Sequence, residues 1–275
     1  MIRTIPELHQ LKAMGRPLVA LTAYDAPTAR LVAAAGVDLI IVGDSVGTNV
    51  LGYESEREVT LADMVHHLRA VRRGSPQGLV IADLPYGTYT HIDQALETAK
   101  ALVQAGASIV KLEGPEIAVI QALVAAGIPV CGHLGLLPQT QRERRVQGKT
   151  LAEAQALWQG SLALEAAGVC ALVLELIPQE LAGCITRRVG IPTIGIGSGP
   201  DTDAQVLIVQ DVLGLSPRQL RLAKAYANLG EQALSALQAY VQEVREGLFP
   251  GPQQSRPMPP ETLAAFQTWL ADRGF

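Results

Sequence analysis

Three acids stand at the ends of short apolar runs: Asp44 after Leu39-Ile-Ile-Val-Gly, Asp83 after Leu79-Val-Ile-Ala, and Glu113 after Ser108-Ile-Val-Lys-Leu. Apolar runs of about 4–8 residues read as strands buried on both faces, the kind that make parallel sheets. If these strands lie side by side, their C-terminal ends bring the three carboxylates to one spot. Like charges that close repel, and some must take up protons unless a cation lies between them. Hard oxygen donors with room left for water and substrate suit Mg²⁺. The first chemistry the residues offer is a divalent-metal site built from strand ends.

Other side chains fall near the same spot. Alternate residues of a strand share a face, so 108–113 stacks Lys111 with Glu113, and 129–134 pairs Cys131 with His133. A lysine in an apolar strand needs an anion nearby. Lys111 therefore either makes a salt bridge to Glu113 or another inward acid, or neutralises an oxyanion or substrate carboxylate beside the metal. His133 is a strand-end histidine or a ligand contact, and Ser45, next to Asp44, is a loop cap or a substrate contact. Two acids are candidate general bases, Glu175 at the end of a strand and Glu180 in the first turn of a helix; spacing alone leaves both open. Gly195-Ile-Gly-Ser-Gly199 sits where many barrels hold a phosphate, although glycines also serve tight loops. His66 and His67 are adjacent, cannot both face one site from a helix, and read as surface.

The elements that must position these groups alternate along the chain. After a helix at 6–14, strands are expected at 18–23, 39–43, 79–83, 108–113, 129–134, 171–176, 192–197 and 205–212. Helices are expected between them at 26–35, 60–72, 92–105, 115–126, 150–167 and 178–189, with a long helical region from about 217 to 246. Glycines that stop helices two or three residues before a strand support this division. Eight βα units in about 250 residues match a (β/α)₈ TIM barrel better than an open doubly wound sheet. The barrel domain is expected over 1–249. A proline-rich linker then leads to a short amphipathic helix at 261–273, docked on the barrel or on a neighbouring subunit.

Composition excludes several classes. Hydrophobic residues make up 48% and aromatics 4%, which favours helices on a buried parallel sheet over an aromatic-rich sandwich. A net charge of −4 leaves no basic footprint for nucleic acid or an anionic membrane. The cysteines, Cys131, Cys170 and Cys184, are odd in number and lack metal-ligand spacing, so reduced thiols in a cytoplasmic protein are expected. The N-terminal segment has no apolar signal core, and no uncharged run approaches 20 apolar residues.

The motifs together resemble the ketopantoate hydroxymethyltransferase family. They are Leu21-Thr-Ala-Tyr-Asp25, Val42-Gly-Asp-Ser-Val-Gly47, Ala82-Asp-Leu-Pro-Tyr86, Val110-Lys-Leu-Glu-Gly114, Cys131-Gly-His-Leu-Gly135, Leu174-Glu-Leu-Ile-Pro-Gln-Glu-Leu-Ala182 and Ile194-Gly-Ile-Gly-Ser-Gly199, collinear over roughly 3–250. The resemblance implies a TIM barrel that binds Mg²⁺ through Asp44, Asp83 and Glu113. It places the substrate 3-methyl-2-oxobutanoate on Asp44, Ser45, Asp83 and Lys111, with His133 near its oxygen, and makes Glu180 the catalytic base. The co-substrate would be 5,10-methylenetetrahydrofolate, the product ketopantoate, and the assembly a homo-oligomer, commonly a decamer. There are departures: Thr140-Gln-Arg-Glu-Arg-Arg145 is shorter and more charged than the family's loop, Leu137-Pro-Gln replaces Thr-Pro-Gln, and Asp203-Ala-Gln replaces Asp-Gly-Gln. Two other readings compete. One is a Mg²⁺ enzyme of the phosphoenolpyruvate mutase and isocitrate lyase type, disfavoured because no Lys-Cys-Gly loop is present. The other is a barrel without turnover, disfavoured because the metal and base residues are all in place.

Overall fold

A computed structural model describes residues 2–141, 143–216 and 220–274. Eight parallel strands close into a barrel in sequence order: β1 (Leu18–Thr22), β2 (Leu39–Val42), β3 (Leu79–Asp83), β4 (Ile109–Lys111), β5 (Val130–Gly135), β6 (Ala171–Glu175), β7 (Thr193–Ile196) and β8 (Ala204–Leu207). Helix α1 (Ile5–Ala13) precedes β1. The crossover helices are α2 (Ala26–Ala34), α3 (Leu61–Gly74), α4 (Ile92–Ala105), α5 (Ile117–Ala125), α6 (Leu151–Ala166) and α7 (Gln179–Arg188), and the short α8 (Val209–Leu213) follows β8. Thr60 and Thr150 start α3 and α6 with reciprocal capping boxes to Asp63 and Glu153, which satisfy amide groups the helix cannot pair itself.

The period of two along each strand builds the interior. Leu18 and Ala20, Leu39 and Ile41, Leu79 and Ile81, Ile109, Cys131, Ala171 and Val173, Ile194, and Ala204 and Val206 form one buried cluster inside the barrel. Ile2 and Leu8 join that cluster. The opposite strand faces pack with the helices in a second cluster that includes Ile40, Val42, Val80, Val110, Leu172 and Leu174. Burying a Val, Leu or Ile side chain contributes about 1.5–3 kcal/mol, so these two layers supply the main drive for closure.

The strands register such that the next inward positions, one step beyond the apolar layers, change character. They are Thr22, Gly43, Asp83, Lys111, His133, Glu175, Ile196 and Ile208, and all line a cavity at the C-terminal mouth. Gly135, opposite Glu175 in the β5–β6 ladder, has φ +103°, and a Cβ there would overlap the Glu175 carbonyl oxygen. Only glycine lets the two strands meet at the mouth.

Two expectations need correction. The last strand ends at Leu207, and residues 209–213 turn into α8. An apolar run of this length does not by itself distinguish strand from helix. Here the Thr22 hydroxyl accepts from the Val209 amide at 3.1 Å, at the first turn of α8. The long helix begins at Leu229, not near 217; residues 220–228 form no helix, and 217–219 lie outside the described residues.

The chain divides into two compact units, 1–227 and 228–275, where the barrel domain was expected to run to 249. The second holds α9 (Leu229–Arg245) and α10 (Pro260–Ala271). In it Tyr240 meets Phe249 edge to face at 5.4 Å, and Phe266 stacks on Trp269 at 5.8 Å. Neither helix has a buried residue, and Leu234, Leu237, Val241, Leu263 and Phe266 are exposed.

Candidate active site

Asp44, Asp83 and Glu113 come to one cavity of about 880 Å³, lined also by Ser45, Lys111, His133 and Glu175. All of these except Ser45 and Glu175 are buried. The Lys111 ammonium lies 2.9 Å from Asp83 Oδ2, so the salt-bridge reading of this lysine holds, with Asp83 rather than Glu113 as the partner. The Asp44 amide donates to the same Asp83 oxygen at 3.3 Å. Among the described residues, Asp83 Oδ1 is buried without a hydrogen-bond partner. Tyr24 Oη and Ser45 Oγ are 2.8 Å apart, which steadies the hydroxyl beside Asp44.

His133 is the hub of the other side. Its Nδ1 lies 3.5 Å from Lys111 Nζ and 3.7 Å from Glu113 Oε1, and its Nε2 is 3.3 Å from Glu175 Oε2. An ammonium can only donate, so Nδ1 is the acceptor and the ring proton sits on Nε2, facing Glu175. That contact is too poorly aligned to be a hydrogen bond and acts as an electrostatic one, since Nε2 has no partner by geometry. Burial, reinforced by Lys111, lowers the His133 pKa against the opposing pull of Glu175. The imidazole is neutral, a weak donor rather than a cation.

The acids respond to crowding in the opposite sense. Burial pushes Asp44 up to about 7, helped by the neighbouring Asp83 charge. Burial likewise pushes Glu113 up to about 9, with Lys111 opposing and Asp44 adding. Burial alone would lower the Lys111 pKa, but Asp83, Asp44 and Glu113 outweigh it and the net direction is up. Lys111 is therefore a permanent cation among acids that resist ionising together.

This has a measurable consequence. Both acids bind protons more tightly folded than unfolded, where Asp and Glu titrate near ~4, so the native state carries more protons and stability falls as pH rises. In EDTA the melting temperature is expected to drop progressively from about pH 5 to pH 9, through the values of about 7 and about 9. Added Mg²⁺ is expected to restore it most at the alkaline end. A melting temperature that is flat or rises over this window would refute the crowded-acid description.

The donor set fits a hexacoordinate hard cation held in part by water and substrate. Among the described residues, no three His, Cys, Asp or Glu side chains converge tightly enough to enclose an ion by themselves. Mg²⁺ ordinarily takes one or two carboxylates and keeps several waters, and the unpaired Asp83 Oδ1 is an oxygen available to it.

Glu180 stands elsewhere. It is exposed in the first turn of α7, its Oε1 accepting from Gln179 Nε2 at 3.2 Å, and it does not line the cavity, whereas Glu175 does. The inward phase of Ala171 and Val173 carries through to Glu175 and was the signal for its placement. Between the two acids Leu176 has φ 47°, a left-handed backbone that costs roughly 1–2 kcal/mol. It is held because its amide donates to the Ile196 carbonyl at 2.9 Å and its carbonyl accepts from Gln147 at 2.8 Å.

Several other expectations resolve at the mouth. In the charged loop, Arg144 reaches Glu56 at 2.6 Å and lines the cavity, while Arg142 lies outside the described residues. The glycines at 195 and 199 are explained by packing, since added Cβ atoms would overlap Thr202 and Gln179. Ser198 Oγ donates to the Leu174 carbonyl at 2.8 Å. The histidine pair is not all surface: His66 is exposed, but His67 is half-buried with Nδ1 2.7 Å from the Tyr24 carbonyl. Of the cysteines, Cys131 is buried, Cys170 half-buried and Cys184 exposed, all unpaired.

One residue of the site was missed. Gln139 is 1% exposed and bonds to both Asp44 and Glu113. It lies on a loop, where no periodicity points inward.

Comparison with solved structures places the barrel beside phosphonopyruvate hydrolase, solved with oxalate and Mg²⁺, at TM-score 0.61 and 15% identity over 92% of this chain and 93% of that one. A 2,3-dimethylmalate lyase of the PEP mutase/isocitrate lyase superfamily aligns at TM-score 0.62 and 18% identity, over 100% of this chain and 96% of that one. At such identities the likeness is one of fold. Sequence relatives are nearer. The 3-methyl-2-oxobutanoate hydroxymethyltransferase of Thermus thermophilus is 49% identical over 262 residues, 93% of this chain and 100% of the relative. The enzyme of the same name from Chloroflexus aurantiacus is 50% identical over 271 residues, 95% of each chain. The ketopantoate hydroxymethyltransferase profile matches residues 3–252, and with the mouth built as described, the chain belongs to that family.

Proposed function

We propose that the protein transfers a hydroxymethyl group from 5,10-methylenetetrahydrofolate to 3-methyl-2-oxobutanoate, giving ketopantoate, with Mg²⁺ at Asp44, Asp83 and Glu113. The observation that carries this is the buried set of three acids around one lysine, with Asp83 Oδ1 unpaired. Bound there, Mg²⁺ would supply Lewis-acid polarisation of the substrate's carboxylate and 2-oxo oxygens. Lys111, cationic and 2.9 Å from Asp83, stabilises the negative charge that builds on the 2-oxo oxygen as C3 loses its proton. Neutral His133 offers a further dipole against the same oxygen, and Ser45, set by Tyr24, contacts the oxo acid.

Glu180 is assigned as the base that takes the C3 proton, on the family resemblance. The favouring observation for Glu175 instead is its place in the cavity beside His133. The resulting enolate forms a C–C bond to the one-carbon unit, whose C–N bonds to the folate break. Water supplies the hydroxyl oxygen and the two protons that the folate nitrogens take up. The C3 proton ends on the new hydroxyl group.

The mouth, bordered by Arg144 and Arg221, is where the folate would lie. The protein is assigned to the cytoplasm as a homo-oligomer of the family's type. None of its described helices is long and apolar enough to cross a membrane; the apolar side chains that α9 and α10 leave exposed support the oligomer. The test is an assay of ketopantoate formation from the two substrates with Mg²⁺ and after EDTA treatment. Metal-dependent product is expected; product formed equally well in EDTA overturns the metal assignment, and no product overturns the reaction.

A further inference from the structure

Gln139 ties together four successive mouth loops. It follows β5, and its side chain and amide reach residues that follow β2, β3 and β4. Its Nε2 donates to Asp44 Oδ2 at 2.6 Å and to the Leu84 carbonyl at 3.0 Å, and its own amide donates to Glu113 Oε2 at 3.1 Å. Its Oε1 accepts from the Tyr89 hydroxyl in a short hydrogen bond. Carboxylate and carbonyl oxygens can only accept from a side-chain amide, so the nitrogen must face Asp44 and Leu84 and the oxygen must face Tyr89. The orientation of the amide is chemically forced.

The pattern of occupied oxygens points to a purpose. One oxygen of each acid is held by the chain: Asp44 Oδ2 and Glu113 Oε2 by Gln139, and Asp83 Oδ2 by Lys111 and the Asp44 amide. Each acid keeps a second oxygen, and that of Asp83 has no hydrogen bond among the described residues. Two acids near each other keep a set separation only where fixed donors hold them. Outer-shell partners of this sort commonly set metal affinity as strongly as the ligands' own geometry does.

We propose that Gln139, oriented by Tyr89, is a positioning residue that holds the Asp44 and Glu113 carboxylates splayed so that their remaining oxygens can share one divalent cation. The inference rests on the metal assignment under Proposed function. It couples the loop after β5 to the metal acids through one side chain.

The test is Mn²⁺ binding by the full-length protein, read from the EPR signal of free aquated Mn²⁺, for wild type, Gln139→Met and Tyr89→Phe. Methionine keeps the shape of glutamine and loses the donor, while phenylalanine removes only the hydroxyl that faces Oε1. Gln139→Met is expected to weaken Mn²⁺ binding ~10–100-fold and Tyr89→Phe by less, with turnover recovering largely at saturating Mn²⁺. Melting in EDTA runs alongside: a merely structural role would lower the melting temperature of both variants and leave their Mn²⁺ affinity below that temperature unchanged. Should Gln139→Met fail to fold, Tyr89→Phe still decides the question. Wild type that binds Mn²⁺ while the folded variants bind it equally well overturns this inference alone. Wild type that binds no Mn²⁺ overturns the metal assignment and the inference with it.

Discussion

Lys111→Met is expected to lower turnover about 10²–10³-fold and to destabilise the metal-free protein by about 3–5 kcal/mol. The two effects have different origins. Stability falls because Asp83, whose side chain is 4% exposed, loses its cation while remaining buried. Turnover falls because Lys111 is the buried side-chain cation beside the position assigned to the enolate oxygen; Arg144, which also lines the cavity, is engaged by Glu56 at 2.6 Å, and the imidazole of His133 is held neutral. A second substitution separates them. In Lys111→Met/Asp83→Asn both buried charges are gone, and removing a buried pair together costs far less than removing one member. The double variant should regain most of the lost stability and none of the lost turnover. Denaturant unfolding in EDTA and steady-state rates with Mg²⁺ give the two readings. A single variant as stable as wild type would mean that the 2.9 Å contact contributes nothing to folding, and a double variant with recovered turnover would remove Lys111 from the chemistry.

Glu180→Gln is expected to reduce exchange of the C3 hydrogen of 3-methyl-2-oxobutanoate in D₂O by about 10²–10⁴-fold, with Mg²⁺ present and folate absent. Glu175→Gln should cost about tenfold or less, through the loss of its contact with His133. Glu175 is fixed at the end of β6 and engaged by the imidazole at 3.3 Å. Glu180 accepts from the neighbouring Gln179 amide and lies in solvent. An exposed carboxylate near the mouth can exchange its proton with water between turnovers, as a base must. NMR of the substrate reports exchange directly and needs no second substrate. If Glu175→Gln abolishes exchange and Glu180→Gln retains it, the base is the cavity acid and the role carried over from the family is wrong for this chain.

Much of the molecule was legible before any coordinates. Strand 79–83 and helix 92–105 coincide with the observed elements, and the eight-strand alternation closes as a barrel. These succeed because local physics decides them: a buried parallel strand must be apolar on both faces, and capping residues such as Thr60 have one structural use. The arrival of Asp44, Asp83 and Glu113 at one mouth also followed from local pattern, since strands of a closed parallel barrel present their C-terminal ends together. The last strand shows the limit. Residues 205–212 are apolar enough for either element, and the Thr22 hydroxyl, far away in the chain, caps the turn that becomes α8.

The sequence by itself determined the barrel, the direction in which its strands point, the three acids at its mouth and the family to which the motifs belong. Each follows from side-chain type and spacing along one segment. Only the tertiary structure decided that Lys111 pairs with Asp83, that His133 stands between Lys111 and Glu175, that Glu180 lies outside the cavity, and that Gln139 spans four loops. Those facts depend on which atoms from separate segments approach within about 3 Å, where hydrogen bonding and charge are decided. A spacing along the chain carries no record of that distance.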